Sequence, residues 1–275
     1  MMKLMQYSGT KINYYKDFKH LTKDLHSGVY VEPFLGSGGI FVNLPNSFDQ
    51  YILNDFNPHI VSVWEFVRDS SYQDLIDIQN EMQNMFGDIK IKKNYYDIRE
   101  YYNQNYFKTT KPERGGYLYL LINSCLNSFA RFGPNGFNQS FGERTFCCAG
   151  QEYNHIKNKL KKSIITNLSY EQVHYPKDAL VFLDPPYFKR QSSYSNEFCS
   201  SQLNTFLDFF KNKDCNIVYT DIESSESDVL LSQGFNKNII RDIINTSATT
   251  HKEVTGVEVA YYNFNEPKSE FEDWL

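Results

Sequence analysis

The stretch Val29–Gly39, with the sequence VYVEPFLGSGG, is the clearest indication of fold class in the chain. It begins with residues that favour β-strands and ends in a glycine-rich turn. This pattern is typical of a strand that leads into a helix, here expected to start at Ile40. A second β-prone run, Tyr51–Asp55, ends on an acid, and Pro58 is expected to open the next helix. Strands that alternate with helices predict an α/β fold with a parallel sheet.

The same pattern returns in the C-terminal part of the chain. Ala179–Leu183 predicts a buried strand that is followed directly by the tetrapeptide Asp184–Tyr187, and Asn216–Thr220 predicts another strand. The alternation over roughly Glu258–Phe264 predicts a final strand, which we expect to be antiparallel to its neighbour.

The composition changes over Lys90–Lys162, where tyrosine, lysine and arginine become frequent. We interpret this change as the sign of an inserted, mostly helical lobe formed by residues 71–162. Residues 1–70 and 163–275 would then form one sheet domain that carries the lobe.

Inside the lobe, the apolar spacing of Ser71–Met85 predicts a helix, and turns are predicted at Gly115-Gly116 and at Pro134-Asn135-Gly136. Most of the aromatic residues are expected in the core. Five tyrosines of the basic segment are candidate phosphate contacts: Tyr95, Tyr96, Tyr101, Tyr102 and Tyr106.

The charge of the whole chain hides a strong regional asymmetry. The 275 residues carry a net charge of −5, which alone argues against a nucleic-acid partner. Residues 89–162, however, hold nine lysines and four arginines against five acids, a balance of +8 that leaves −13 for the rest. A nucleic-acid partner is therefore compatible with the lobe, although the run Lys157–Lys162 is equally compatible with a solvated face. Four of the seven arginines lie there: Arg99, Arg114, Arg131 and Arg144.

Several classes of protein are excluded by composition. The five cysteines are odd in number and form no C-x-x-C pair, which argues against a disulfide framework or a structural zinc site. The six histidines show no ligand spacing, so no metal is predicted. No segment resembles a signal peptide or the roughly 18-residue apolar span of a membrane helix. We expect a soluble cytoplasmic protein.

The tetrapeptide Asp184–Tyr187, D-P-P-Y, is the most informative motif. It could be a simple turn at the end of a strand, because proline stops strand pairing and Asp caps turns. Alternatively, the Asp184 carboxylate and the Pro185 carbonyl form a pair of acceptors for the two N–H groups of an exocyclic amine. Such a pair would draw the nitrogen of an adenine or cytosine amine toward a tetrahedral shape, with Tyr187 as a stacking face for an extruded base.

The glycine loop has the pattern F-x-G-x-G-G and lacks the third glycine of the dinucleotide fingerprint, since Phe41 stands in its place. A tight strand-to-helix connection explains it equally well. Asp55, however, closes the next strand, where an acid can accept hydrogen bonds from a ribose diol. No phosphate-binding Lys-Ser/Thr follows, so a nucleoside without phosphates fits best, and S-adenosylmethionine is the obvious ligand.

On these motifs the chain resembles the Dam-type DNA adenine-N6 methyltransferases of the α-group, most closely the compact phage-encoded members. Tyr7–Lys11 is similar to the family's N-terminal cofactor motif, Glu32–Gly39 to its cofactor loop, and Asn54-Asp55 to the ribose-binding acid. Leu168–Tyr170 is a weaker match to a segment that contacts the cofactor adenine, and Asp184–Tyr187 matches the catalytic tetrapeptide. The resemblance implies a Rossmann-like mixed sheet with an inserted DNA-recognition lobe, and no metal.

The resemblance also implies the residues of the sites. S-adenosylmethionine, which leaves as S-adenosylhomocysteine, would be bound by Tyr7, Lys11, Glu32, Phe34, Gly36, Gly38, Asp55, Tyr170 and Asp184. The catalytic residues would be Asp184, Pro185, Pro186 and Tyr187.

Two further stretches, Asn127–Phe132 and Gly136–Thr145, are similar to the part of the family that reads bases in members recognising GATC. Arg131 and Arg144 are candidate guanine readers, because an arginine fork pairs with guanine O6 and N7. The alternative for either arginine is a phosphate contact or a surface ion pair. The chain departs from many relatives at Gly133 and Ser140, which leaves the exact target sequence open. The implied DNA-binding residues are Asn127, Ser128, Phe129, Arg131, Asn138 and Arg144.

The resemblance predicts transfer of a methyl group to adenine N6 in duplex DNA by base flipping, at GATC or a related short palindrome. The same chemistry on cytosine N4, a DNA-binding protein without catalysis and a nicotinamide oxidoreductase are the alternatives. We expect a monomer or weak dimer on palindromic DNA, in the cytoplasm of a bacterial or phage-infected cell. The biological role, as restriction-modification partner, phage self-protection or regulation, stays open.

Overall fold

The computed structural model describes residues 1–143, 145–186, 200–225, 227–246 and 253–266. Within them, the helices are α1 Tyr15–Leu21, α2 Pro58–Asp69, α3 Tyr72–Phe86, α4 Lys92–Asn105, α5 Glu113–Ser124, α6 Gly150–Leu160, α7 Ser200–Lys211 and α8 Val229–Ser232. The strands are β1 Val29–Glu32, β2 Gln50–Asn54, β3 Phe132–Gly133, β4 Gly136–Phe137, β5 Ser163–Thr166, β6 Leu180–Leu183, β7 Asn216–Ile222, β8 Asn236–Thr246 and β9 Glu253–Tyr262.

Seven of these strands form one mixed sheet in the order β5-β2-β1-β6-β7-β9-β8. The pairs β2–β5, β1–β6 and β6–β7 are parallel, whereas β9 is antiparallel to both β7 and β8. The predicted fold class is therefore confirmed, including the antiparallel final strand. That strand starts earlier than expected, at Glu253, and the sequence did not predict β5 or β8.

The chain divides into two compact units. The first contains Met1–Asn13 and Leu35–Val173, and the second contains Tyr14–Phe34 and His174–Leu275. The first unit holds helices α2–α6, strands β2 and β5, and the small β3–β4 hairpin. The boundaries of an inserted lobe at 71 and 162 stay a prediction.

Helix α5 is the centre of the first unit, and one expected turn lies inside it. Gly115 and Gly116 are helical, not a turn, and every residue from Gly115 to Ser124 is buried. A β-carbon on Gly115 would lie 2.0 Å from the Ser62 carbonyl oxygen of α2 and 2.6 Å from Phe66 Cβ. The two glycines therefore allow close packing of α5 against α2. The other predicted turn is confirmed, since Pro134 and Asn135 connect β3 to β4.

The segment after the glycine loop is not the α-helix expected from Ile40. It forms only a 3-10 turn, Phe41–Asn43, because the chain turns extended at Leu44 and Pro45 follows. Lys159 of α6 terminates this turn. Its Nζ donates hydrogen bonds to the carbonyl oxygens of Phe41, Val42 and Leu44 at 2.5–3.1 Å.

Lys159 is only 1% exposed, so the run Lys157–Lys162 is not a plain solvated face. Lys157 Nζ also donates to the Ser70 carbonyl at 2.7 Å. Part of the positive charge counted in this region therefore stabilises main-chain carbonyls. Burial lowers the pKa of Lys159 to about 8.

Replacement of Lys159 by methionine is expected to lower the free energy of unfolding by about 2 kcal/mol, because three buried carbonyls lose a charged donor. The exposed neighbour Lys161, changed in the same way, should stay within about 0.5 kcal/mol of wild type. Because the pKa is lowered in the folded state, the unfolded chain binds more protons above about pH 8. The Lys159 contribution should therefore raise the free energy of unfolding of the wild type as the pH rises from about 8 to 10. Urea titrations at several pH values should show this increase in the wild type and not in K159M.

Two of the four tyrosines of α4 and both tyrosines of α5 lie in the core. Tyr95, Tyr102 and Tyr117 are fully buried, and Tyr106 stacks on Tyr117 with ring centres 4.3 Å apart. The expectation of phosphate contacts is therefore wrong for Tyr95 and Tyr102, because the apolar face of α4 turns both rings inward.

The second unit is built on β1, β6 and β7, extended by β9 and β8. All four residues of β6 are buried, as expected of a strand with neighbours on both sides. Phe18 of α1 packs edge-on against Phe182 at 5.4 Å. None of the helices in the described ranges is both long and apolar enough to cross a bilayer.

Candidate functional site

The glycine loop in the first unit has a backbone conformation that residues with a side chain rarely adopt. Gly36 and Gly38 have φ values of +46° and +60°, in the left-handed region. A β-carbon on Gly38 would lie 2.7 Å from the Trp64 ring, and Trp64 Nε1 donates to the Gly36 carbonyl at 2.9 Å. Helix α2 thus holds the loop through Trp64, a role that sequence reasoning missed.

Asp55 lies directly after β2 and fastens the same loop. Its Oδ2 accepts a hydrogen bond from the Gly36 amide at 2.8 Å, and its Oδ1 accepts one from the Asn57 amide at 2.9 Å. Desolvation raises the pKa of the Asp55 carboxyl to about 6, although these two amide bonds oppose the rise. A carboxyl that changes charge near neutral pH, beside a glycine loop, is typical of a ligand site.

Tyr7 and Lys11 come from the N-terminal segment of the same unit. A β-carbon on Gly36 would meet the Tyr7 ring at 3.4 Å, so Tyr7, Gly36 and Asp55 form one connected group. Lys11 is buried, and its Nζ donates to the Gly9 carbonyl at 3.2 Å.

Tyr170 lies in a short 3-10 turn, Tyr170–Gln172, that follows β5. The buried Asn54 holds the chain before this turn, because its side chain pairs with both the amide and the carbonyl of Leu168 at 2.9 and 3.0 Å. Tyr170 is half-buried, and burial raises the pKa of its hydroxyl.

In the second unit, Asp184 follows β6 at the carboxyl end of the strand. Thr220 Oγ1 donates to Asp184 Oδ1 at 2.9 Å, and Thr220 itself is fully buried. The register that pairs Leu183 with Tyr219 brings these two side chains together. Pro185 is buried and Pro186 half-buried, whereas Tyr187 lies outside the described residues.

Glu32 and Phe34 also belong to the second unit. Glu32 is buried at the end of β1, and its Oε2 accepts a hydrogen bond from the Tyr30 hydroxyl at 2.7 Å. Phe34 is half-buried, with its ring 5.9 Å from that of Phe206.

The β3–β4 hairpin brings two of the predicted DNA-binding residues together. Arg131 and Asn138 flank its strands, and both are exposed. The main-chain amide of Asn138 donates to the main-chain carbonyl of Arg131 at 3.0 Å. In the other direction, Arg131 Nε donates to the side-chain oxygen Oδ1 of Asn138 at 2.8 Å. The guanidinium group is therefore oriented by Asn138.

The other predicted DNA-binding residues differ in exposure. Asn127 is exposed, Phe129 is half-buried, and Ser128 is buried with its hydroxyl donating to Gln6 Oε1 at 2.8 Å. Asn127 and Ser128 both have left-handed backbones, with φ of 55° and 53°, a strain that costs about 1 kcal/mol each and is common at functional sites. Arg144 lies outside the described residues.

Among the described residues, no group of three His, Cys, Asp or Glu side chains could hold a metal ion.

The mixed α/β sheet, the glycine loop bonded to Asp55 and the Asp184 carboxylate at the end of β6 are the features from which the sequence predicts a nucleoside-binding enzyme. The family model of D12 class N6 adenine-specific DNA methyltransferases matches residues 7–264. The chain belongs to this family. N6 methylation of adenine in DNA is thereby confirmed over the cytosine, non-catalytic and oxidoreductase alternatives, and the family implies S-adenosylmethionine as methyl donor.

Individual relatives agree with this assignment. The type II methyltransferase M.CviBI of Paramecium bursaria Chlorella virus NC1A is 26% identical over 228 residues, covering 78% of this chain and 81% of the viral protein. The DNA adenine methylase of Escherichia coli K12 is 29% identical over 192 residues, which span 66% of this chain and 64% of the bacterial protein. A precorrin 8w decarboxylase of Methanobacterium thermoautotrophicum aligns over 94% of this chain and 92% of its own, with 11% identity and a TM-score of 0.39, too low to support an inference.

Proposed function

We propose that this chain methylates adenine N6 at a specific short site in duplex DNA, GATC or a related palindrome, on a base flipped out of the helix. The observation that carries the proposal is the Asp184 carboxylate, held by Thr220 at the end of β6 and followed by two prolines. Base flipping is required because the amine of a paired, stacked adenine is not accessible to an active-site pocket.

Asp184 and Pro185 are proposed to hold the target amine. Its nitrogen is a poor nucleophile because its lone pair is delocalised into the ring. The Asp184 carboxylate and the Pro185 carbonyl can accept its two N–H groups, which directs the lone pair out of the ring plane. The carboxylate also stabilises the positive charge that develops on nitrogen, and its fixed position means that no reorganisation is needed during the reaction. Tyr187 is proposed to stack on the flipped base.

The residues of the first unit fit the nucleoside end of the cofactor. Gly36 and Gly38 allow close approach to the loop backbone, and Asp55 offers acceptors for a ribose diol. We assign Tyr7 and Lys11 to the methionine end and Tyr170 to the adenine, and Glu32, Phe34 and Asp184 remain predicted contacts. When bound, S-adenosylmethionine supplies an electrophilic methyl group on sulfur.

Cofactor affinity is expected to depend on the charge of Asp55. The carboxylate accepts ribose hydroxyl groups better than the neutral acid, and the pKa is about 6. Affinity for S-adenosylhomocysteine should therefore be constant above pH 6 and fall by up to tenfold per pH unit below it. Calorimetric titrations across this range measure the effect. Asp55→Asn should bind weakly without the pH dependence; an Asn variant with the wild-type profile would contradict the assignment.

Sequencing tests the target site directly. Unmethylated plasmid DNA is treated with the protein and S-adenosylmethionine, and single-molecule sequencing reports the modified base, its sequence context and the strand. We expect N6-methyladenine confined to one short palindrome on both strands. Methylation of adenines irrespective of context would contradict site specificity, while unmodified DNA would contradict the assigned reaction.

A further inference from the structure

Helix α4 presents three polar side chains to the β3–β4 hairpin. Tyr95, Arg99 and Asn103 are spaced four residues apart, so they lie on one face of the helix. Tyr95 and Arg99 both donate to the Gln139 carbonyl at 2.9 Å. Asn103 pairs with Phe137 as a neighbouring strand would, accepting from its amide at 2.9 Å and donating to its carbonyl at 3.0 Å. We call these three residues the recognition clamp.

A glycine makes this close approach possible. A β-carbon on Gly136 would lie 2.2 Å from Asn103 Oδ1, and Gly136 has a φ of +127°, which other residues rarely adopt. Asn103 therefore reaches the hairpin backbone only because residue 136 has no side chain.

The hairpin needs such support from outside. Each of its strands has two residues, and an isolated hairpin is at best marginally stable in water. The clamp holds β4, while the ring of Phe132 in β3 stacks on His59 of α2 at 4.5 Å and 15°. Both strands are thus fastened to helices of the first unit.

The clamp determines where Asn138 and Arg131 point. It fixes the main chain at Phe137 and Gln139, on either side of Asn138. Asn138 itself is exposed. Asn138 in turn orients the Arg131 guanidinium through its Nε.

We propose that the recognition clamp is a positioning device for base discrimination, which acts by holding the Arg131–Asn138 pair in its reading orientation before DNA binds. The proposal rests on the proposed function, methylation at a specific site, and on the expectation from the sequence that Arg131 reads a base of that site. Discrimination between base pairs needs a preorganised side chain, because a guanidinium group that is free to reorient also contacts wrong bases and phosphates.

The test compares Asn103→Ala with the matched control Gln104→Ala. Gln104 is the next residue of α4, is exposed, and donates a hydrogen bond along the helix to Glu100. Plasmid sequencing with the full-length protein gives the ratio of methylation rates at the preferred site and at sites that differ from it by one base pair. An inactive or unfolded fraction lowers both rates equally and leaves this ratio unchanged, so the ratio reports positioning and not stability.

We expect N103A to lower the ratio by about tenfold, with affinity for S-adenosylhomocysteine unchanged and Q104A equal to wild type. A wild-type ratio in N103A would overturn the proposal. If N103A does not fold, the double variant Tyr95→Phe, Arg99→Lys removes the two bonds to Gln139 while keeping the ring and the charge, and the same two outcomes apply. Loss of site preference in the wild type would instead overturn the proposed function.

Discussion

Replacement of Asp184 by alanine is expected to lower the rate of methyl transfer by about 10²–10³-fold, the usual cost of removing one preorganised group from a polar transition state. The carboxylate accepts a hydrogen bond from Thr220, so its position is fixed before substrate binds. Without it, one amine N–H loses its acceptor, and the charge that develops on nitrogen loses its counterion. Single-turnover rates with excess enzyme measure the step directly.

Two further variants separate this role from stability. Thr220→Val keeps the shape of a buried residue but removes the hydroxyl, and we expect a smaller loss of about tenfold because Asp184 then loses its support. Asp208→Asn changes an exposed carboxylate on α7 that pairs with Lys211 of the same helix, and should leave the rate unchanged. A near-normal rate in D184A would refute the proposed mechanism.

Replacement of Arg131 by alanine is expected to lower the methylation rate at the preferred site by about 5- to 150-fold, which corresponds to the ~1–3 kcal/mol of a bidentate arginine–guanine contact. Arg131 is exposed, and Asn138 accepts a hydrogen bond from its Nε, so we expect the terminal nitrogens of the fork to make the base contact. Rates at sites changed at the contacted base pair should fall much less, and the loss of discrimination should be confined to that base pair.

Arg131→Lys distinguishes base reading from a phosphate contact. Lysine keeps the positive charge but lacks the planar fork, so a base reader should lose discrimination in R131K almost as fully as in R131A. If Arg131 instead contacts a phosphate, R131K should discriminate between sites almost as well as wild type. R131A should then bind every DNA sequence more weakly by the same factor, and its affinity should depend less on salt concentration.

Elements with strong local signals could be predicted from the sequence. Helix α2 begins where Asn57 caps the His59 amide at 2.9 Å and Pro58 occupies the first position. Helix α3 begins with a capping box between Ser71 and Asp74. In both cases the determining contacts lie within three residues of one another, so a single sequence contains them.

The two strands of the seven-stranded sheet that escaped prediction lie at its edges. β5 and β8 each have one neighbour, and their exposed apolar residues include Ile164 and Ile239 at 48% and 65%. An edge strand buries less than a central one, so its alternation of apolar and polar residues is weak. Strand β6, with neighbours on both sides, gives a continuous apolar run and was recognised.

The candidate site also contains some features that the sequence predicts and others that it does not. The tetrapeptide at 184 was readable as a motif, but its partner Thr220 lies 36 residues away and meets it only through the register of β6 and β7. The recognition clamp spans 34–44 residues between α4 and the hairpin. Such pairings depend on tertiary packing, which periodicity and turn residues do not encode.

The buried Lys159 also bears on how the chain is made. It joins residues 41–44 to a residue 115–118 positions later. At about 5–20 residues per second, a ribosome needs roughly 6–23 seconds to synthesise that interval. The segment after the glycine loop therefore leaves the ribosome long before its anchoring lysine exists, as does β2 before its partner β5. The 3-10 turn Phe41–Asn43 can therefore be anchored by Lys159 only after residues 127–145 have been synthesised.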